Sequence, residues 1–323
     1  MTLWLIMALW FFALPLAVGS WMLLMGRRNS RLRRPPVVDR SGQPLASIPF
    51  TYSDGETVDL IVTGEGPAIL LVPGADGMKE TFRYQIPALS QSHRVLCADL
   101  RERIGADMTF ERLSTDLEEL LSAHGVRRVT LLGQSLGGAV AMRFAARHPE
   151  RVDALVVANS LARVSYGHVG LNAVLLVPVA MATIRYLPTA VSRLIARLWS
   201  RLNVWVFDSS PGSDRVIQYV LWSGPRTVHP GTSGGRVDLL KREDLRPELA
   251  GIRAPTLVLK GPLDRYTPVA WSVEIAELIP GATYLEIAGT GHCSHISMPE
   301  LFNQTLLDWL SRIDRPQVEE DDE

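Results

Sequence analysis

The sequence predicts an α/β protein with a mainly parallel sheet, helices on both faces, an inserted helical cap and one N-terminal transmembrane helix. Three observations lead to this fold class: short apolar runs alternate with amphipathic stretches, one long interval breaks the alternation, and the chain begins with an uncharged apolar segment. The chain has 323 residues, of which 47% are apolar and 21% charged, so it can bury a sizeable core and disorder is not expected.

The charge balance and the cysteine count exclude several classes of protein. Lys and Arg number 33 against 34 Asp and Glu, and the net charge of −1 argues against a nucleic-acid-binding protein, which would carry a clearly basic domain. Cys97 and Cys293 lie too far apart for a CxxC metal or redox motif, and two cysteines give no disulfide framework. We therefore expect both cysteines to be reduced thiols.

Residues 1–26 are predicted to be an uncleaved transmembrane anchor. This segment contains no Asp, Glu, Lys or Arg, and residues 3–25 form a nearly unbroken apolar run. As a helix the run would reach about 35 Å, enough to cross a hydrocarbon core of about 30 Å. A cleaved signal peptide is the alternative, but the segment has no basic start, its apolar run is too long, and no convincing cleavage site follows.

Residues 27–47 are predicted to be a basic, Pro-rich linker. Five arginines follow the anchor, and the first acidic residue is Asp39. By the positive-inside tendency this end stays in the cytoplasm, which predicts a single-pass protein with its folded domain on the cytoplasmic side. The arginines would also favour anionic lipid headgroups.

Short apolar runs typical of strands buried on both faces recur along the rest of the chain. They are residues 68–72, 94–98, 129–133, 154–158, 256–260 and 283–287. Stretches with apolar residues at helical spacing lie between them, at residues 79–89, 110–124, 136–147, 269–278 and 300–313. The alternation predicts a core at residues 48–160 and 248–315, in which ligands bind beyond the carboxyl ends of parallel strands.

Residues 161–247 interrupt the alternation and are predicted to form the helical cap. Within them Arg193, Arg197 and Arg201 repeat at helical spacing, and leucines lie toward another face. Such a basic amphipathic helix would rest on a membrane surface or cover a lipid-shaped pocket; alternatively, its apolar side packs on the main domain. The acidic tail 316–323 is most simply a solvated end.

The segment Gly133-Gln134-Ser135-Leu136-Gly137-Gly138 has the pattern G-x-S-x-G between a predicted strand and a predicted helix. In that context the pattern indicates a nucleophile elbow, a sharp turn that raises Ser135 while Gly133 and Gly137 leave room for it. The following helix directs its N-terminus at the site, so the backbone N–H of Leu136 can donate to an oxyanion. A Gly-rich turn without catalytic function is the alternative.

A second oxyanion donor is predicted in the loop Pro73-Gly74-Ala75-Asp76-Gly77 after the strand at residues 68–72. The backbone N–H of Ala75 is the candidate, because Gly74 and Gly77 let the chain approach a substrate closely. A Pro-Gly turn with no catalytic function is the alternative.

Ser135 needs a base and an acid, which follow it in the order acid, then His. His292 lies on a loop between the last predicted strand and the last helix, and we assign it as the base; His295 is the alternative base, or otherwise a pocket or structural histidine. Asp264, in the loop after the strand at residues 256–260, is the candidate acid that holds the tautomer of His292. A turn-forming aspartate is the alternative.

At these motifs the chain resembles the alpha/beta-hydrolase superfamily, over about residues 49–313. GQSLGG is similar to the family's elbow, GPLDRYTP to its acid loop, and GHCSHISMPELFNQTLLDWL to its His loop and last helix. The resemblance implies the alpha/beta-hydrolase fold and, with serine in the elbow, a serine hydrolase. One departure is that Pro73-Gly74 replaces the family's usual His-Gly before the oxyanion loop.

Two branches of the superfamily differ in what they imply. The order of anchor, domain and cap is similar to that of membrane-bound monoacylglycerol lipases. The Pro-Gly loop and residues 81–89 and 158–160 resemble maspardin, a member thought to act as a binding protein. Unlike that non-catalytic pattern, this chain retains candidates for all three triad positions.

The sequence therefore predicts a membrane-anchored serine hydrolase that cleaves carboxylic esters, with lipid or other apolar acyl esters among the candidates. Ser135 attacks the carbonyl, His292 moves the proton and Asp264 orients His292, which requires no metal and no cofactor. The expected partners are a small-molecule ester and the membrane, not nucleic acid. A non-catalytic binding or scaffold protein and an acyltransferase with the same triad stay open, as does the oligomeric state.

Overall fold

One mainly parallel sheet forms the centre of the computed structural model, which describes residues 14–32, 35–102, 108–164, 171–204, 206–227 and 235–313. Its strands are β1 (Ile48–Thr51), β2 (Thr57–Thr63), β3 (Ala68–Val72), β4 (Arg94–Ala98), β5 (Val129–Gln134), β6 (Val152–Ala158), β7 (Thr256–Lys260) and β8 (Thr283–Glu286). Their order in the sheet is β1-β2-β4-β3-β5-β6-β7-β8. Strands β3 to β8 are parallel, whereas β1 and β2 are antiparallel at one edge.

Helices surround this sheet and fill the interval between β6 and β7. In chain order the described α-helices are α1 (Leu14–Ser30), α2 (Ile86–Leu89), α3 (Phe110–Ala123), α4 (Leu136–Arg147), α5 (Leu171–Tyr186), α6 (Thr189–Arg201), α7 (Ser213–Thr227), α8 (Gly235–Lys241), α9 (Arg246–Leu249), α10 (Val269–Leu278), α11 (Ser294–Ser297) and α12 (Pro299–Ile313). Helices α5 to α9 make up what we call the β6–β7 insertion.

The predicted α/β architecture is confirmed, with differences at the edge of the sheet. All six predicted strands are present as β3 to β8. Strands β1 and β2 were not predicted. β1 is largely exposed and carries no continuous apolar run, and the apolar run of β2 is only three residues long, at residues 60–62. Successive residues of β3 alternate between the two faces, since Leu70 belongs to one apolar core cluster and Leu71 to the other.

The single helix predicted at residues 79–89 is wrong. The structure has a short 3₁₀ helix, Lys79–Phe82, followed by the one-turn helix α2. Pro87 explains the break, because a proline is tolerated in the first turn of a helix but removes a hydrogen bond from its interior.

The β6–β7 insertion carries an apolar cluster of its own at the carboxyl edge of the sheet. Phe207, Ile217 and Trp222 of the insertion pack in this cluster together with Cys293 and Ile296, which follow β8. The insertion therefore covers the loop that contains the predicted catalytic histidine.

The N-terminal helix α1 differs from the predicted division between anchor and linker. Residues 1–13 of the predicted anchor lie outside the described residues, and α1 continues beyond residue 26 to Ser30. Its last turn is fixed by Asn29, whose Nδ2 donates to Ile184 O, Arg185 O and Leu187 O at 2.9 to 3.2 Å, at the end of α5. Among the described residues, none of the helices has both the length and the apolar character needed to cross a bilayer.

Candidate active site

Ser135 lies in the sharp turn between β5 and α4. Its backbone has φ 54° and ψ −121°, a conformation that residues with a side chain rarely adopt. The N–H of Ser135 donates to Ala158 O at 2.9 Å, and Ser160 Oγ donates to Ser135 O at 2.6 Å. These two bonds hold the turn on both sides, which offsets a strain of about 1–3 kcal/mol.

The elbow glycines Gly133 and Gly137 have no space for a side chain. A Cβ atom on Gly133 would lie 2.3 Å from Gly137 O, and a Cβ atom on Gly137 would lie 2.0 Å from Val72 O. Any larger residue would force β3, β5 and α4 apart. Leu136 begins α4, where the first backbone N–H groups have no partner inside the helix and remain available to an anion.

The loop after β3 packs directly against the turn that contains Ser135. A Cβ atom on Gly74 would lie 3.4 Å from Ser135 Cβ and 2.5 Å from Gln134 Oε1, so the close approach depends on the absence of a side chain there. Gly77 has φ 69°, and its N–H donates to Gly74 O at 2.9 Å. Ala75, the predicted second oxyanion donor, lies inside this turn.

Asp264 and His292 meet at the carboxyl edge of the sheet, on the loops that follow β7 and β8. His292 Nδ1 donates to Asp264 Oδ2 at 2.9 Å, and both side chains are buried. This tautomer leaves His292 Nε2 as the atom that can accept a proton.

The imidazole of His292 lies beside Gln134, the residue that precedes Ser135. Gln134 Nε2 donates to His292 O at 3.2 Å and lies 3.4 Å from His292 Nε2. The structure thus shows this amide, and not Ser135 Oγ, as the hydrogen-bonding neighbour of His292 Nε2. Bonds between nucleophile and base commonly tighten only in the substrate complex.

Every side of the Asp264 carboxylate is occupied. Oδ1 accepts from the backbone N–H groups of Tyr266 and Thr267 at 2.8 and 3.0 Å, and Oδ2 accepts from Thr267 Oγ1 at 2.5 Å and Lys260 Nζ at 2.6 Å. Burial raises the pKa of this carboxyl, but attraction to His292 and Lys260 outweighs burial and leaves the pKa below its usual value. The acid is therefore ionised throughout the neutral range.

His295, the alternative base, lies in a different environment. Its Nε2 is 2.9 Å from Thr81 Oγ1, and its ring packs against Phe82 and Phe302. Burial lowers its pKa to about 3, so the ring is neutral near pH 7. The structure pairs Asp264 with His292 and places His295 in the packing behind it.

Asn159 joins the loops that follow three neighbouring strands. It directly follows β6, with φ 46°, and is fully buried. Its Oδ1 accepts from the N–H of Gly261 at 2.8 Å, and its Nδ2 donates to Ser294 Oγ at 2.8 Å. One side chain thus fixes the start of the acid loop relative to the loop of His292.

Two side chains of the β6–β7 insertion hold the loop after β3, which contains the candidate oxyanion donor Ala75. Arg236 Nη1 donates to Ala75 O at 3.1 Å and to Asp76 O at 3.2 Å, while its Nη2 donates to two backbone carbonyls after β4. Tyr219 OH donates to Asp76 Oδ2. Burial raises the pKa of the Asp76 carboxyl, and the bond from Tyr219 acts in the opposite direction.

A further carboxylate from the insertion contacts the histidine loop. Asp208 is buried, and its Oδ1 accepts from the N–H of Ser210 at 2.9 Å. A Cβ atom on Gly291 would lie 2.4 Å from Asp208 Oδ2, so the backbone beside His292 packs directly on this carboxyl. Burial raises the pKa of Asp208.

Several of these residues were not identified from the sequence. Lys260 carried a usable signal, because a lysine at the end of a strand buried on both faces must find an acceptor. Arg236, Tyr219 and Asp208 carried none, since their partners are far away in the sequence and no pattern in the interval between β6 and β7 marks them.

The described residues include no group of three or more His, Cys, Asp or Glu side chains arranged to hold a metal ion. Cys97 and Cys293 are free and buried, and burial raises the pKa of both thiols. Both are therefore neutral thiols near pH 7, which makes them weak nucleophiles.

Known proteins resemble this chain over most of its length. A putative carbamate hydrolase RutD from Azorhizobium caulinodans is 29% identical over 82% of this chain and 99% of its own. The crystal structure of the enol-lactonase from Burkholderia xenovorans LB400 matches with a TM-score of 0.63 and 26% identity, over 82% of this chain and 100% of the enzyme. That of a membrane phospholipase A described as a bacterial virulence factor matches with a TM-score of 0.67 and 20% identity, over 98% and 97%.

The family comparison agrees with the topology and with the elbow. The sequence profile of the alpha/beta hydrolase fold matches residues 67–299, which include the elbow, the acid loop and the histidine loop. Relatives across the family are named as hydrolases, lactonases and esterases. The chain belongs to the alpha/beta-hydrolase family and is an enzyme of the hydrolase class.

Proposed function

We propose that the protein is a serine hydrolase that cleaves carboxylic esters with Ser135, His292 and Asp264. The observation that carries this proposal is the 2.9 Å bond between His292 Nδ1 and Asp264 Oδ2, at the same sheet edge where Ser135 occupies its strained turn. Each side chain follows a different parallel strand, and the carboxyl ends of such strands converge at one edge.

The chemistry follows from the atoms that each residue presents. His292 Nε2 takes the proton of Ser135 Oγ as the oxygen attacks the ester carbonyl, and Asp264 stabilises the imidazolium. The N–H groups of Leu136 and Ala75 donate to the oxyanion. His292 then returns the proton to the leaving alcohol, and water releases the acyl group by the same route. These steps use no metal and no cofactor.

Labelling with a fluorophosphonate probe tests the proposal. We expect an adduct on the wild-type protein and none on Ser135→Ala, with Ser272→Ala, at a buried serine of α10, as a matched control that keeps the label. A correctly folded wild-type protein that forms no adduct would indicate a binding or scaffold protein on this fold. Hydrolysis in the presence of acceptor alcohols, with analysis of the products, separates a hydrolase from an acyltransferase.

We assign apolar acyl esters, including lipids, as the substrate class. The apolar cluster of the β6–β7 insertion reaches Cys293, the residue next to His292, so one side of the site beside the base is apolar. A series of p-nitrophenyl esters with acyl chains of increasing length should show kcat/KM rising beyond the acetate. Equal kcat/KM along the series would remove this assignment and leave the hydrolase in place.

The proposal includes attachment to a membrane through the segment 1–26. The described part of that segment, residues 14–26 of α1, exposes large apolar side chains. They are Leu14, Leu16, Val18, Trp21, Met22, Leu23 and Leu24. A run of this kind is stable in water only when something covers it, and the preceding apolar residues point to lipid. Arg27 and Arg28 then follow at the end of the helix, as the positive-inside tendency requires.

Helix α6 offers a second surface of the same character. It turns small residues toward the protein, and these are Ser192, Ala196 and Ser200. Its large residues point outward, with Leu194 70% exposed and Leu198 55% exposed. The exposed arginines 193, 197 and 201 lie beside them. An apolar stripe flanked by arginines fits an anionic lipid surface, where leucines enter the acyl region and guanidinium groups meet headgroups.

Two measurements test the membrane part separately. Alkaline washing should leave the full chain on membranes and release a chain that lacks residues 1–24, which keeps the buried Met25. A polarity-sensitive fluorophore on Leu198→Cys should shift to the blue with vesicles containing phosphatidylglycerol. The same label on Leu301→Cys, an exposed leucine of α12, should not shift. The absence of a shift at position 198 would overturn the assignment of α6.

A further inference from the structure

Lys260 is a fully buried cation whose partners all belong to the acid loop. It ends β7 with no exposed surface, and its Nζ donates to Asp264 Oδ2 at 2.6 Å, to Thr267 Oγ1 at 3.0 Å and to Thr267 O. Three oxygens thus meet the three protons of an ammonium group. A buried lysine costs several kcal/mol of desolvation unless it is paired, so this arrangement depends on Asp264.

The oxygen that Lys260 binds is the one that the catalytic histidine uses. Asp264 Oδ2 accepts from Lys260 Nζ at 2.6 Å and from His292 Nδ1 at 2.9 Å. The other oxygen, Oδ1, is taken up by backbone N–H groups of the loop. The lysine and the histidine therefore share one oxygen of a single carboxylate, together with the uncharged hydroxyl of Thr267 at 2.5 Å.

Because the oxygen is shared, the Asp264 carboxylate stabilises a protonated His292 less strongly. A free carboxylate stabilises a protonated imidazole by its full negative charge, whereas a carboxylate already paired with an ammonium presents much less. The ammonium also repels the imidazolium, since both donate to the same atom. The imidazolium that forms when His292 takes a proton is consequently stabilised less than it would be beside an unshared acid.

We propose that Lys260 is a positioning residue that sets the lower pH limit of activity by partly neutralising the carboxylate of Asp264. This inference rests on the proposed function of His292 as the base. It assigns to Lys260 an effect on the acid limb of the pH profile, which a lysine that only braced the loop would leave unmoved.

Other groups near His292 contribute a constant background to this comparison. They are the Asp208 carboxyl against Gly291, the neutral His295, the edge of the Tyr266 ring at 5.0 Å and the amide of Gln134. None of them contacts Asp264 Oδ2. Substitution at position 260 therefore changes the charge on that oxygen while these neighbours stay in place.

The test compares pH profiles of kcat/KM for a short p-nitrophenyl ester. In Lys260→Gln, which keeps a donor and removes the charge, the acid limb should move up by about one pH unit. Lys260→Met, which also removes the donor, should show the same direction, and Lys260→Arg should keep the limb near that of the wild type. The matched control is Lys79→Met, because Lys79 is another buried lysine with carboxylate partners at 3.2 to 3.7 Å and no contact with Asp264.

NMR titration of the His292 imidazole gives a readout that needs no turnover. An upward shift of its titration in Lys260→Gln, with no ester hydrolysis by the wild type, would support the inference and reject the proposed function. Hydrolysis by the wild type with an unmoved limb and titration in both uncharged variants would overturn the inference and leave the function standing. An equal shift in Lys79→Met would also overturn it, because the effect would then be general loosening.

Discussion

The two halves of the catalytic site are held by different parts of the molecule. The Asp264–His292 pair is fixed from within the sheet, by Lys260 at the end of β7 and by Asn159 at the end of β6. The oxyanion loop is fixed from outside the sheet, by Tyr219 and Arg236 of the β6–β7 insertion. In the proposed mechanism, proton transfer therefore depends on contacts within the core, whereas oxyanion stabilisation depends on contacts with the β6–β7 insertion.

The halves also differ in the chemistry that holds them. On the Asp264 side an ammonium pairs with a carboxylate, so the contact sets charge as well as position. On the oxyanion side the hydrogen bonds of the Arg236 guanidinium go to four neutral carbonyls, so these bonds set the position of the loop backbone. Substitutions in the core should therefore change the pH dependence, and substitutions in the insertion should change the rate at every pH.

The largest expected effect lies on the core side and concerns the choice of base. His292→Ala should lose roughly 10³-fold or more in kcat/KM on a short p-nitrophenyl ester, because the general base is removed. His295→Ala should lose far less, because the neutral ring bonded to Thr81 only packs behind the site. Equal losses in the two variants would show that the pair at 2.9 Å is not the functional one.

An intermediate effect is expected where the β6–β7 insertion donates hydrogen bonds to the loop after β3. Arg236→Met removes four hydrogen bonds and should lower kcat by about 10 to 100-fold with little change in KM, less than the loss of an oxyanion donor itself. The position of the acid limb should not move. Arg246→Met is the matched control, because Arg246 lies on the surface of the same insertion, paired with Asp244. A shift of the acid limb of the pH profile in Arg236→Met would contradict the expectation that contacts of the insertion change the rate alone.

The smallest effect is expected at the second contact of the insertion. Tyr219→Phe removes the hydroxyl that donates to Asp76 and should lower kcat a few-fold, while Arg236 still holds the loop. Leaving the buried carboxyl without its tyrosine donor should also lower the free energy of unfolding by about 1–3 kcal/mol, measured by urea denaturation. A kcat loss as large as that of Arg236→Met would show that the side chain of Asp76, and not the loop backbone, controls the site.

The parts of the fold that the sequence predicted are those set by local patterns. Strands β3 to β7 are almost entirely buried, so each produces a continuous apolar run, whereas the exposed edge strand β1 produces none. Pro87 was visible in the sequence, yet the apolar spacing around it outweighed it in the prediction of a single helix. Local patterns also do not predict where α1 ends, because its last turn is held by a contact between Asn29 and the end of α5.

The residues of the candidate site likewise fall into those that local motifs predict and those that only tertiary packing brings together. Ser135, Asp264 and His292 each follow a strand within a short motif, so local sequence places them at one edge of the sheet. Arg236 and Tyr219 reach the loop after β3 across more than a hundred residues of sequence, and only the packing of the insertion brings them there. Charge and composition carry no information about such contacts.

The amide of Asn29 has a practical consequence for shortened versions of the enzyme. Three carbonyls at the end of α5 depend on this one side chain, and Met25 is buried one turn before it. A truncation that removes all of α1 to gain solubility would strip α5 of its terminal donors and open an apolar gap in the insertion. A cut upstream of Met25 keeps both, so the choice of first residue decides whether a truncated enzyme still reports on the native one.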